Sequence, residues 1–208
     1  IRDRAYTMKI IDLMIKDPIT ISENTTVSEA IACMKTNSIR HLPVVADDQR
    51  LLGFVTLADL KQGLIPSMVS DLTLKDLMIK NPITVAADRD IEIAAQLVYK
   101  NKIGGLPVVE DGKLIGIITV TDLLGAFINM MGMLSASSRV DVAMEDKPGE
   151  LKKAIQIVND AGGDIINIAM TAQNPGQRVY YFRLTACDTS DIRRAFETAG
   201  FQVLATMD

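Results

Sequence analysis

The chain states one pattern twice. DLMIKDPITI from Asp12 is answered by DLMIKNPITV from Asp76, SIRHLPVV by KIGGLPVV, and GFVTLADL by GIITVTDL. Asp12 to Asp76, Pro18 to Pro82 and Pro43 to Pro107 each step by 64 residues. One residue fewer in the second copy's turn reduces the step to 63 for Gly53 to Gly116 and Asp59 to Asp122. An internal repeat constrains the fold before any local reading does. Two copies are too few for a solenoid, so the expectation is a closed pair in which any cleft between copies occurs twice.

Each copy reads as strand, helix, strand, strand, helix. In the first, Ile19 to Ile21 is an expected short strand, and Thr26 with Glu29 forms an expected capping box. Val27, Ala30, Ile31 and Met34 then fall on one helical stripe. Leu42 to Ala46 and Leu51 to Thr56 are β-rich runs around a polar turn, and a last helix begins near Leu57. In the second copy Ile91, Ala94, Ala95 and Val98 form the stripe, and Asp111-Gly112 signals a hairpin. Phe127 to Leu134 is expected to continue the last helix, with Ser135 to Ser138 as a linker. Beyond it the order becomes βαββαβ, the ferredoxin-like arrangement of an antiparallel sheet with two helices on one face. Its elements are expected over Val140 to Met144, Glu150 to Ala161, Asp164 to Ala172, Arg178 to Thr185, Ser190 to Ala199 and Phe201 to Ala205. Leu151, Ala154, Ile155 and Val158 form its first helical stripe, and Asn174-Pro175-Gly176 its central turn. The fold class expected is α+β.

Composition excludes several functions. A formal charge of −4 over 208 residues argues against a general nucleic-acid binder. No apolar run approaches the roughly 18–20 residues of a membrane span, and no signal peptide is visible. Cys33 and Cys187 lie far apart and read as reduced thiols, so a cytoplasmic location is expected. The single histidine, His41, gives no metal cluster. No G-x-S-x-G, P-loop or G-x-G-x-x-G occurs, so no catalytic residue is assigned.

The DLM-x-x-x-P-I-T openings, the LPVV strands and the closing Gly53-Thr56-Asp59 and Gly116-Thr119-Asp122 motifs resemble the cystathionine-β-synthase (CBS) domain. Two in tandem resemble a Bateman module, which implies β-α-β-β-α repeats packed with pseudo-two-fold symmetry. The third region resembles an ACT domain through Asp146-Lys147-Pro148-Gly149-Glu150-Leu151 and Gly163-Asp164-Ile165-Ile166-Asn167-Ile168. The expected domains are 8–66 and 71–134 for the CBS repeats and 138–208 for the ACT domain. This domain order is similar to that of the acetoin-utilisation type of regulatory protein.

The CBS resemblance implies an adenosine-containing effector such as AMP, ATP or S-adenosylmethionine, bound between repeats. One pocket would combine Ile19, Ile39 and Arg40 with Gly104, Gly105, Thr119 and Asp122. The other would combine Ile83, Ile103 and Gly104 with Arg40, His41, Thr56 and Asp59. Asp59 and Asp122 suit the two ribose hydroxyls, because a carboxylate accepts two hydrogen bonds. As Asp residues at helix starts they equally suit capping. Thr56 and Thr119, at helix starts, suit a phosphate or simply end a strand. His41 is either a site residue or an ordinary strand-end residue.

Where the first copy has Arg40-His41, the second has Gly104-Gly105. The pockets are therefore expected to differ, the Asp59 one tolerating phosphate and the other a bulkier or less anionic adenosyl group. For the ACT region the resemblance implies an amino-acid ligand between two such domains, with Asp146, Gly149 and Asn167 as candidates. The competing reading is a homodimerising domain in which Asn167 only ties down a loop. A sensor of this kind needs a regulated partner protein, which the sequence does not name; a ligand-free scaffold is the alternative.

Overall fold

The computed structural model describes residues 8–62, 73–174 and 176–208. The first repeat runs through α1 (Ile10–Leu13), β1 (Ile15–Lys16), α2 (Val27–Thr36), β2 (His41–Val45), β3 (Leu51–Thr56) and α3 (Leu57–Gln62). The second follows with α4 (Leu74–Leu77), β4 (Ile79–Lys80), α5 (Ile91–Asn101), β5 (Gly105–Glu110), β6 (Lys113–Thr119) and α6 (Val120–Met130). The chain divides into two compact units between Leu124 and Gly125, within α6. The repeat limits expected at 66 and 71 lie outside the described residues, as does Pro175 of the expected turn.

In the first unit each repeat lends its opening to the other. β1 pairs antiparallel with β6, placing Ile15 opposite Ile117 and Lys16 opposite Gly116. β4 pairs antiparallel with β3, placing Gly53 opposite Lys80 and Phe54 opposite Ile79. The sheets are accordingly β1-β6-β5 and β2-β3-β4. The exchange explains the glycine in each closing motif. A Cβ at Gly53 would stand 2.6 Å from Met78 Sδ, and one at Gly116 would stand 2.7 Å from Met14 Sδ. Only glycine lets the borrowed strand lie so close.

The exchange also extends the cores. Leu74, from the second opening, is buried among Ile31, Met34, Leu42, Val55 and Leu60 of the first repeat. The expected capping box is present: Glu29 Oε2 accepts the Thr26 N–H at 2.9 Å, and Thr26 Oγ1 accepts the Glu29 N–H at 3.2 Å. The strand expected over Ile19 to Ile21 is reduced to one parallel bridge, Ile21 to Val44. The ordered opening strand is instead β1, three residues before Ile19, because its partner lies in the other repeat.

α6 stops at Met130 rather than Leu134. Gly132 takes a left-handed conformation (φ 64°), and the Met133 N–H reaches back to the Ile128 carbonyl at 3.1 Å. That bond is the helix-ending Schellman turn.

The second unit continues with β7 (Ser137–Glu145), α7 (Glu150–Asp160), β8 (Ile165–Asn174), β9 (Gln177–Thr185), α8 (Ser190–Thr198) and β10 (Gln202–Met207). The sheet is antiparallel in the order β10-β7-β9-β8, as expected for a ferredoxin-like fold. β7 begins at Ser137, which shortens the expected linker. Val140, Val142 and Met144 alternate into a core with Ala154, Val158 and Phe182. Phe196 lies 5.7 Å from Phe182 and edge-on to Phe201 at 5.8 Å. Leu151, expected in the stripe of α7, remains 36% exposed at the first turn. Among the described residues no helix is long and apolar enough to cross a membrane.

Candidate functional site

The two closing motifs build the same local device. Asp59 Oδ2 accepts the Thr56 N–H at 2.9 Å and the Thr56 hydroxyl at 2.7 Å, while Thr56 Oγ1 accepts the Asp59 N–H at 3.3 Å. In the second repeat the corresponding distances at Thr119 and Asp122 are 2.8, 2.7 and 3.4 Å. Each is a reciprocal cap at a helix start. The next amides are held by the residue that precedes the paired strand: Leu57 donates to the Arg40 carbonyl at 2.9 Å, and Val120 to that of Gly104 at 3.0 Å.

The cap changes the expected roles. Each threonine hydroxyl spends its one hydrogen on the aspartate, so it has none left for a phosphate oxygen. Each aspartate uses only Oδ2. Among the described residues Oδ1 of Asp59 and of Asp122 accepts no hydrogen bond. Capping and ribose binding are thus compatible readings of one carboxylate.

Two clefts open beside these carboxylates, both within the first unit. The Asp59 cleft, about 920 Å³, is lined by Thr56, Ile83, Ile103, Gly104, Arg40 and His41, all grouped together from the sequence. The Asp122 cleft, about 690 Å³, is lined by Ile19, Ile39, Arg40, Gly104 and Thr119, likewise grouped together from the sequence. Gly105 is the exception: it lines the Asp59 cleft and not the other. Borrowed strands bring residues that motif reading missed. Ile15 with Asp17 joins the Asp122 cleft, and Ile79 with Asn81 joins the Asp59 cleft. Ile15, Ile19, Ile79 and Ile83 are 48, 42, 43 and 39% exposed. Their 64-residue pairing was the available signal that these exposed isoleucines serve a repeated apolar wall.

Arg40 and His41 line both clefts. The expected difference between pockets therefore cannot rest on those two residues belonging to one of them. The room left by Gly104 is taken, whereas Gly105 has ordinary van der Waals neighbours. A Cβ on Gly104 would stand 2.5 Å from His41 Nε2, and one on Gly105 would stand 3.7 Å from His41 Cδ2. The imidazole stacks on Phe54, with ring centroids 5.7 Å apart and planes at 15°. His41 and Gly104 are thus sterically complementary, because one repeat's side chain fills the space left by the other's glycine.

Burial pushes His41 below the ordinary histidine range; Arg40 adds to the depression and Asp59 opposes it. As pH falls, the unfolded chain takes up this proton first. His41 therefore contributes stability that is full above a pH of about 6.5 and is lost as pH falls through the folded value. The melting temperature is expected to drop between pH 7.5 and 5.5, and His41→Gln is expected to flatten that drop. An unchanged slope in the variant contradicts the assignment.

In the second unit the three candidate residues do not converge within one chain. Asp146 accepts a hydrogen bond from Arg178 Nη2 at 2.6 Å. Gly149 takes φ 94° at the start of α7. Asn167 donates from Nδ2 to the Met130 carbonyl at 3.1 Å, so it ties the end of α6 to β8. Asn167 pairs with Arg183, five residues along β9 from Arg178, or about 17 Å. Sequence reading missed Asp141, which is 6% exposed. Its Oδ1 lies 2.9 Å from Arg139 Nε. Burial pushes its carboxyl up, partly offset by Arg139 and Arg183.

Comparison with known proteins finds two families along the chain. The CBS domain family matches residues 10–65 and 74–129, and the TTHA0829-like ACT domain matches residues 136–206. The CBS domain pair of protein MJ0100, solved with 5′-methylthioadenosine and S-adenosyl-L-methionine, is 30% identical with a TM-score of 0.56; the match covers 59% of this chain and 98% of that one. CBSX2 in complex with AMP is 30% identical with a TM-score of 0.53, covering 59% and 98%. A putative acetoin utilization protein (AcuB) from Vibrio cholerae is 32% identical with a TM-score of 0.55, covering 61% and 95%. Inosine-5′-monophosphate dehydrogenase of Methanocaldococcus jannaschii is 35% identical over 150 residues, but this chain spans only 29% of its length. The chain belongs to the CBS-domain family: it carries two CBS domains in tandem, followed by a TTHA0829-like ACT domain.

Proposed function

We propose that the protein is a non-catalytic, cytoplasmic regulatory sensor that binds adenosine-containing ligands in the two clefts between its CBS repeats. The observation that carries this reading is the duplicated carboxylate. Asp59 and Asp122 each border a cleft, and each is locked by its own helix cap with Oδ1 left to accept from a ribose. The paired isoleucines supply apolar walls for a purine. AMP, methylthioadenosine and S-adenosylmethionine, the ligands of two similar CBS pairs, are the candidate class, with ATP. A ligand that closes a cleft shifts the repeats only through different affinities for their two arrangements, and a partner protein reads that shift.

Association is assigned to the second unit. Its edge strands β8 and β10 expose Ile166, Met170, Leu204 and Met207 at 44 to 47%, and an open, apolar edge invites pairing with a second copy. Amino-acid sensing there needs residues from two chains, given the separation of Asp146 and Asn167. Control of acetoin or acetate use is the proposed setting, from the similarity to AcuB.

The helix caps favour one competing reading, in which both aspartates are structural and the clefts of a scaffold stay empty. Thermal unfolding with and without AMP, ATP and S-adenosylmethionine separates the two. At 100 times Kd a ligand that binds only the folded chain adds about 2.7 kcal/mol, so the midpoint is expected to rise by several degrees. No rise with any of the three supports the scaffold.

A further inference from the structure

The swapped openings make the clefts differ in charge at positions that the repeat makes equivalent. Asp17 in the Asp122 cleft corresponds to Asn81 in the Asp59 cleft. Ser38 corresponds likewise to Lys102. Lys61 also lines the Asp59 cleft, whereas its counterpart Leu124 does not line the other. Each change has the same sign. With Arg40 common to both, the Asp59 cleft holds three cationic side chains against one carboxylate. The Asp122 cleft holds one cationic side chain against two carboxylates.

The backbone explains the residue type at 17 and 81 but not the charge. Asp17 and Asn81 both adopt left-handed conformations, with φ 48° and 54°, and Asp and Asn tolerate that region equally as short polar side chains. Either residue satisfies the turn, so the choice of carboxylate or amide is left to what the cleft holds. Among the described residues Asp17 makes no ion pair. Lys102 also sits in a left-handed position (φ 56°), with its ammonium 4.3 Å from the Tyr99 ring centroid. The left-handed backbone there favours glycine or asparagine, while a cation at a helix C-terminus also suits the helix dipole.

We infer that the clefts are sorted by ligand charge: the Asp59 cleft takes a phosphorylated adenosine, and the Asp122 cleft takes an adenosyl compound with a cationic substituent, read by Asp17. The inference rests on the adenosyl-ligand reading above and names the substituent that each cleft selects. A sulfonium or ammonium group near Asp17 gains a carboxylate partner, and a phosphate there meets two carboxylates. In the other cleft a phosphate meets Lys61, Lys102 and Arg40. These charges lie at the exposed lips of the clefts, so each is worth about tenfold or less in affinity at low salt, with the difference narrowing as salt rises.

The test is calorimetric titration of the full chain with AMP and, separately, with S-adenosylmethionine. Asp17→Asn is expected to weaken S-adenosylmethionine about five- to tenfold while changing AMP by less than twofold. Lys102→Ser is expected to weaken AMP by a similar factor and to leave S-adenosylmethionine unchanged or tighter. The unliganded melting temperature of Asp17→Asn checks its fold, and Asn81 shows that the turn accepts asparagine. If both ligands bind the wild type and neither substitution discriminates between them, charge sorting is overturned while the adenosyl reading stands. If neither ligand binds the wild type, both fail together.

Discussion

Asp59→Ala is expected to lose two things at once: helix stability and ligand affinity. The cap made with Thr56 disappears, at a cost of about 1 kcal/mol within a range of 0.5 to 2. Removing a charged acceptor for the ribose hydroxyls costs a further 1.5–3 kcal/mol of binding, or roughly 10- to 150-fold in Kd. Asp59→Asn separates the two losses. Asparagine keeps an amide oxygen for the Thr56 N–H and hydroxyl and gives up only the first-turn charge, so the melting temperature is expected to stay close to wild type while affinity falls. Asp122→Asn is expected to do the same for the second cleft. Thermal unfolding reads the first quantity and calorimetry the second. Destabilisation by alanine with unchanged ligand affinity for both variants reduces the carboxylates to caps and supports the scaffold.

Gly104→Ala is expected to destabilise the first unit by about 1–3 kcal/mol, the usual cost of one carbon too many in a packed site. The new Cβ would meet His41 Nε2 at 2.5 Å and Cε1 at 2.9 Å. The ring cannot swing away without cost, because it is stacked on Phe54. His41→Ala removes the obstacle, so the double variant is expected to recover most of what Gly104→Ala loses. A double-mutant cycle of unfolding free energies measures that coupling. Additive effects would mean that the imidazole does not fill the space over Gly104. Because Arg40, His41 and Gly104 border both clefts, displacing the ring is expected to weaken ligands in each.

The repeat made the topology of each copy legible, but not the exchange between copies. Periodicity records which residues face a core, and Leu74 faces one; it does not say whose core. β1 and β4 are two residues long, too short for alternation to register, so their pairing partners had no signature in the sequence. Thr26 and Glu29 were legible because a capping box is local. Thr56 and Asp59 form the same kind of box with an aspartate in place of the glutamate.

The lining of the candidate clefts was legible where a motif carries the residue, as at Asp59, Asp122, Ile83 and Ile103. It was misread where contact depends on the seam. Gly105, expected in the Asp122 cleft, lines the Asp59 cleft, and His41, expected in one cleft, lines both, whereas Arg40 was expected in both and lines both. Asp17 and Asn81 were in view throughout, as the one difference inside DLMIKDPIT and DLMIKNPIT. Their meaning needed the swapped strand that carries each into the opposite repeat's cleft. Asn167 fits the second of its two readings, since its amide ties β8 to the Met130 carbonyl, a contact 37 residues away in sequence whose partner no spacing could announce.

The central claim is that adenosine-containing ligands bind beside Asp59 and Asp122. Calorimetric titration of AMP into the wild type and into the Asp59→Asn/Asp122→Asn double variant tests it most directly. The account predicts saturable heat with the wild type and at least a tenfold weaker Kd in a double variant that melts close to the wild-type temperature. Equal affinity in the two proteins would contradict it, and so would the absence of binding to a folded wild type.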